Sequence, residues 1–109
     1  RRDFTFIEDI VVGILGGLGK PPNVTNAAPH KVYNIGNNSS ESLMRFISLI
    51  EDALGIKAKI EFMPMQLGDV KETYADIDAT KRDFGFNPTT SIDQGIPKFV
   101  EWYKTFYGA

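Results

Sequence analysis

The sequence predicts a small α/β domain, short strands with three to four helices, on three observations. Apolar residues recur at helical spacing over 40–54 and 92–106. Residues 57–63 alternate apolar and polar side chains with a period of two. Glycine-, proline- and asparagine-rich stretches separate these segments. The 109 residues suffice for one domain and are too few for two.

In chain order, Asp3 to Ile7 reads as a short strand. A helix is expected from Glu8 to about Leu18, with Glu8 and Asp9 favourable at its positive end. Residues 20–31 form a loop. Val32 to Ile35 is a strand closed by Gly36-Asn37-Asn38. Ser40 is the expected N-cap of a helix that ends at Leu54, with Leu43, Phe46, Ile47, Ile50, Ala53 and Leu54 on one face and Gly55 as its stop. Lys57 to Met63 is a half-buried strand, because Ala58, Ile60 and Phe62 alternate with Lys57, Lys59 and Glu61. A loop from Pro64 to Tyr74 precedes a short helix capped by Asp78 and ended by Gly85. Ser91 with Gln94 resembles a capping box opening a last amphipathic helix. Pro97 conflicts with that start, so the helix is expected to begin later or to kink. Its aromatics, Trp102, Tyr103, Phe106 and Tyr107, are assigned to the core.

Composition excludes several functions. The formal net charge of −2 comes with no basic stripe, so neither nucleic acid nor a membrane surface is an expected partner. The absence of cysteine removes disulfides and thiol catalysis, and the single histidine, His30, removes a multi-histidine metal site. No apolar run reaches membrane-spanning length and no signal peptide opens the chain, so a cytoplasmic location is the expectation. The chain opens as structured sequence without Met, and further sequence is expected upstream.

Gly13, Gly16 and Gly19 match a G-x-x-G-x-x-G spacing. In a dinucleotide site a helix starts within the glycines, with its N-terminus facing the pyrophosphate. Here Lys20-Pro21-Pro22 follows instead, so the glycines are read as a weakened helix end. Arg1 and Arg2 offer donor forks suited to phosphate, although composition alone favours solvation or pairing with Asp3, Glu8 or Asp9. Gln66-Leu67-Gly68-Asp69-Val70 follows a strand, where open α/β sheets meet ligands. Gly68 admits close backbone approach and Asp69 suits sugar hydroxyls, with a plain turn as the simpler account. Asn34, Asn37 and Asn38 are read as loop and capping residues, and His30 as a surface residue. No Tyr-x-x-x-Lys pair and no G-x-S-x-G are present, so the isolated chain is not expected to catalyse a reaction.

Taken together, Arg2 through Ile10, Tyr33-Asn34-Ile35-Gly36, Gly68-Asp69-Val70 with Thr73-Tyr74-Ala75-Asp76, and Phe84 through Ser91 with Gly95 through Tyr103 resemble the extended short-chain dehydrogenase/reductase epimerases and dehydratases of sugar nucleotides. The similarity covers nearly the whole chain. Asn37-Asn38 and Met63 through Val70 look most like the UDP-glucuronate 4-epimerase subgroup. The resemblance implies that 1–109 is the C-terminal substrate-binding portion, with the Rossmann domain absent and residues 1–18 packing at the interface with it. It implies NAD in the parent enzyme and none bound by this fragment. The implied partner is a UDP-sugar, UDP-glucuronate, held jointly with the missing domain; a homodimeric parent and self-association of the fragment are also expected. It assigns Arg2 and Gln66 to the diphosphate and Asp69 to the ribose hydroxyls. Many members carry Arg where Gln66 stands, and Gln supplies no charge. A decarboxylase or dehydratase of the same superfamily, and a stand-alone non-catalytic module binding a nucleotide or protein, are the alternatives.

Overall fold

A computed structural model describes residues 1–24 and 28–108; residues 25–27 of the expected 20–31 loop lie outside them. The elements are β1 (Arg2–Asp3), α1 (Ile7–Leu18), β2 (Ser40–Glu41), α2 (Leu43–Leu54), α3 (Asp78–Phe84) and α4 (Ile92–Tyr107). Among the described residues the fold is thus α/β with four helices and one two-stranded antiparallel sheet, pairing Arg2 with Glu41 and Asp3 with Ser40.

The core sits between α2 and α4. Ile92, Ile96 and Val100 recur every four residues and are buried against Phe46, Leu49, Ile50, Ala53 and Leu54. Phe4, just past β1, stacks on Phe46 at 4.0 Å and closes the end of this seam. Contacts at both ends show the two helices running in parallel: Arg45 reaches Asp93 at 2.6 Å, and the Lys104 ammonium donates to the Ala53 carbonyl at 3.3 Å. Ser42, not Ser40, caps α2, its hydroxyl accepting from the Arg45 N–H at 3.1 Å. Ser40 is instead drawn into β2. Gly55 ends α2 in the left-handed conformation, as its position suggested.

The last helix starts at Ile92 and holds Pro97 in its interior, so it does not begin later. Pro97 and Asp93 are both exposed, which leaves water to satisfy the Asp93 carbonyl that the missing N–H abandons. Ser91 is the N-cap through its backbone carbonyl alone; its hydroxyl makes no capping bond, so the expected capping box does not form. The aromatics at its far end are not core. Trp102 is 52% exposed and Phe106 67%, with Tyr103 and Tyr107 also exposed. Trp102 and Phe106 lie off the Ile92, Ile96 and Val100 stripe that faces α2, and Tyr107 lies past Lys104, where α2 ends. The rings pack on one another instead, Trp102 stacked on Phe106 at 5.4 Å and Tyr103 tilted against Tyr107 at 4.6 Å.

A second cluster joins α1 to α3. The glycines of α1 are its packing face. A Cβ on Gly13 would lie 3.0 Å from Ile35, and one on Gly16 would lie 3.1 Å from the Phe84 Cβ. These glycines therefore admit close helix approach, beyond the helix weakening read from sequence. The outer face of α1 is left exposed at Ile7, Val11, Ile14, Leu15 and Leu18. Ile77, not Asp78, is the N-cap of α3; the carboxylate of Asp76 accepts the Asp78 N–H at 3.0 Å, and Gly85 ends the helix.

Asp83 on α3 accepts from the Lys31 ammonium at 2.5 Å and the Tyr33 hydroxyl at 2.7 Å. The Lys31 bond, then the Tyr33 bond, draws its pKa from 3.8 down to about 2. A depressed carboxylate stabilises the fold fully above its unfolded pKa and loses that contribution as pH falls through the folded value. Acid unfolding of the chain is therefore expected to steepen between pH 3.8 and about 2, and Asp83→Asn to lack that segment in a pH-resolved thermal melt.

The expected strands survive only in part. Of Asp3 to Ile7, only Asp3 is paired, while α1 already begins at Ile7. Val32–Ile35 and Lys57–Met63 form no strand among the described residues. Alternation fits a pleated surface, but a strand exists only with a neighbour to receive its N–H and C=O groups. Segment 57–63 is exposed throughout, with Phe62 85% and Met63 79% accessible. The radius of gyration, 17.5 Å, is well above the ~13 Å of a compact 100-residue domain.

Candidate functional site

The first three residues lie where three segments cross. On one side β1 pairs with β2. On the other, the Thr73 N–H donates to the Arg1 carbonyl at 3.2 Å, and the Asp3 N–H donates to the Thr73 hydroxyl at 3.0 Å. The Asp3 carboxylate then gathers the turns beside it. One oxygen accepts the Asn37 N–H at 3.0 Å; the other accepts those of Asn38 and Ala75 at 3.1 and 2.9 Å. Asn38 takes the left-handed conformation at φ 55°, which an asparagine tolerates. Gly36 lies against Ala75 so closely that a Cβ there would meet the Ala75 Cβ at 2.3 Å.

This crossing fixes the backbone from which Arg2 projects. One Arg2 nitrogen donates to the Val70 carbonyl at 2.6 Å and to the Arg1 carbonyl at 3.0 Å. The other meets the Asp69 carboxylate at 2.5 Å. The same Asp69 oxygen accepts the Val70 N–H at 2.8 Å. Gln66 enters through its backbone: its carbonyl accepts the Asp69 N–H at 3.2 Å, closing a turn over Leu67 and Gly68. Gly68 has φ 88°, which favours glycine, and open space around it. The Gln66 side chain is exposed and makes no hydrogen bond among the described residues.

The structure thus brings Arg2 and Asp69 into direct contact and puts Gln66 on the same loop. Arg2 does not pair with Asp3, Glu8 or Asp9. Asp3 and Asp9 are taken by backbone N–H groups, Asp9 accepting those of Thr89 and Thr90 at 3.0–3.3 Å while 6% exposed. Glu8 lies 3.8 Å from Lys98, and Arg1 pairs with Glu72 at 3.0 Å. His30 is exposed, as its loop position suggested. Sequence reading missed Asp3 as the organising residue. The available signal was an acidic side chain at the head of a largely apolar stretch, Asp3-Phe4-Thr5-Phe6-Ile7.

No glycine of the G-x-x-G-x-x-G pattern stands at a helix N-terminus; all three lie within α1 or at its C-terminal end. Their packing against Ile35 and Phe84 does not fit a dinucleotide cradle. Among the described residues no group of three or more acidic or histidine side chains converges on a metal position, and no helix is long and apolar enough to cross a membrane.

No protein-family model matches the chain. It is 46% identical to protein CapI of Staphylococcus aureus, over 97% of its own length and 35% of that protein's. It is 40% identical to UDP-glucuronate 4-epimerase 1 of Arabidopsis thaliana, over 98% of its own length and 27% of the relative's. Among solved structures it superposes on UDP-glucuronic acid 4-epimerase from Bacillus cereus, in complex with UDP-glucuronic acid and NAD, with a TM-score of 0.79 and 28% identity. That match covers 96% of this chain and 32% of the other. WbmF from Bordetella bronchiseptica, in complex with NADH, gives a TM-score of 0.76 at 26% identity, covering 98% and 30%. The chain therefore spans about a third of the proteins it matches.

Proposed function

Since this chain is related to the UDP-glucuronate 4-epimerases of the extended short-chain dehydrogenase/reductase family over about a third of their length, we propose that it is the substrate-side portion of such an enzyme. The observation that carries this reading is the meeting of Arg2 and Asp69 across 67 residues of sequence, on a scaffold organised by Asp3. Arg2 presents a cation for the diphosphate, and Asp69 an acceptor for the ribose diol. Gln66 stands beside them as a neutral donor. Holding the nucleotide end while the sugar is free to turn is what a 4-epimerase requires of its binding residues.

NAD, when bound in the whole enzyme, supplies the hydride acceptor and donor; the residues of this chain bind and orient the nucleotide. The exposed apolar outer face of α1, with Ile7 and Leu18 at its ends, is the surface on which the dinucleotide-binding portion packs. The expanded radius of gyration and the exposed segment 57–63 support the same reading.

UDP titrated into the isotopically labelled chain is expected to shift the amide signals of residues 66–70. Arg2→Ala is expected to weaken that binding by ~10- to 100-fold, the worth of one charge-assisted pair. Unchanged affinity in Arg2→Ala refutes the assignment. With NAD and UDP-glucuronate the isolated chain is expected to give no epimer, and measurable turnover would contradict the division of labour proposed here.

A further inference from the structure

We infer that Asp69 is a specificity-determining residue that bars simple anions from Arg2 and yields only to a ligand carrying both a phosphate and a vicinal diol. The inference rests on the nucleotide reading above and adds what the site refuses. Its starting point is that the Arg2 fork already has three acceptors: the Arg1 and Val70 carbonyls and the Asp69 carboxylate. Asp69 is the only charged one, and its side chain is 49% exposed, against 33% for Arg2. It rides on a loop with a fully exposed Leu67 and nothing around Gly68, so the carboxylate can leave Arg2 without disturbing packing.

A bare anion that approaches Arg2 meets this counter-ion first. Three of the five guanidinium N–H groups are used, so the anion can settle beside Asp69 or displace it; either way it stands next to a second negative charge. Like charges so placed repel, and the exchange gains nothing. A nucleoside diphosphate alters both halves of the exchange. Its phosphate takes the guanidinium, and its ribose hydroxyls donate to the carboxylate that the phosphate displaced. Every charge-assisted bond broken is replaced by another. The ion pair therefore sets substrate class, separating nucleotides from the inorganic phosphate and pyrophosphate around them.

The test compares inorganic pyrophosphate with UDP on the unaltered chain, on Asp69→Asn and on Glu72→Gln. Glu72 is the control: it is an exposed carboxylate paired with Arg1, and its loss removes the same charge without touching Arg2. Asp69→Asn is expected to bind pyrophosphate ~10-fold tighter and UDP ~10-fold weaker, while Glu72→Gln moves both by no more than about 2-fold. In the ligand-free chain, rotation about the Arg2 Cζ–Nε bond, read by ¹⁵N exchange, is expected to quicken in Asp69→Asn and not in Glu72→Gln. Pyrophosphate affinity in Asp69→Asn equal to that in Glu72→Gln, with UDP still bound by the unaltered chain, overturns the counter-ion role alone. UDP bound no better than pyrophosphate by the unaltered chain removes the nucleotide reading, and the specificity claim with it.

Discussion

Replacing Asp3 with alanine is expected to lower the unfolding free energy by about 3–5 kcal/mol, since three backbone N–H groups lose a charged acceptor at once. A charge-assisted bond is worth more than a neutral one, and donors left without partners in a half-buried site add their desolvation cost. The amides concerned belong to Asn37, Asn38 and Ala75, so the loss is not confined to β1. It releases the turn before β2 and the segment leading to α3 together. Asp3→Asn retains the shape and one oxygen acceptor, but places an NH₂ group against a backbone N–H. A loss of roughly half the alanine value is expected there. Urea unfolding followed by far-ultraviolet dichroism reads both. A loss below ~1 kcal/mol in the alanine variant would show that the carboxylate is not what holds these turns.

Gly36→Ala is expected to cost about 2–3 kcal/mol although it adds a single methyl group to a buried position. The added carbon would sit 2.3 Å from the Ala75 Cβ, well inside contact distance. Relief by moving Ala75 is resisted, because its N–H is held by Asp3 at 2.9 Å. A Cβ at 36 would also crowd the Asp3 carboxylate, at 3.2 Å. The two substitutions are therefore coupled: in an Asp3→Ala background Ala75 can retreat, and Gly36→Ala is expected to cost less than it does alone. Strict additivity in the double-mutant cycle would break this account. A smaller partner at 75 supplies the converse check, since Ala75→Gly is expected to recover part of the Gly36→Ala loss.

The helices were legible because their signals are local. The apolar stripe over 43–54 and the glycines at 55 and 85 act within a few residues; both glycines end their helices as read, and Phe46, Ile50, Ala53 and Leu54 pack on α4, joined by Leu49 while Leu43 stays exposed. Strands were less legible. Lys57–Met63 alternates as a strand should, yet its status depends on a partner that no local pattern reveals. Caps shifted by one or two residues, from Ser40 to Ser42, which carries the same hydroxyl, and from Asp78 to Ile77, where the Asp76 carboxylate supplies the acceptor. The aromatics of α4 were read as core, but α2 covers only the stripe of Ile92, Ile96 and Val100. Trp102 and Phe106 lie on another side of the helix, and the side that a partner covers cannot be seen within one helix.

The candidate site was harder to read than the helices. Proximity in sequence suggested Asp3, Glu8 and Asp9 as partners of Arg2. In an extended chain adjacent side chains point to opposite faces, so Asp3 turns toward the 37–38 and 75 amides while Arg2 turns toward Asp69. The resemblance placed Arg2 and Asp69 on one ligand. It did not reveal that they also bind each other.

The crossing at β1 also bears on how fast this chain can fold. Its defining bonds join residues 34 to 72 positions apart in sequence. Such loops must be closed, at an entropic cost that rises with their length, before any of the bonds that reward closure can form. The two helices that share the core lie about as far apart, Arg45 reaching Asp93 across 48 residues. For all its helix, the chain has the topology of a slow folder, and helical content alone would overstate its folding rate. Until residue 75 finds Asp3, the helices have stripes but no fixed frame.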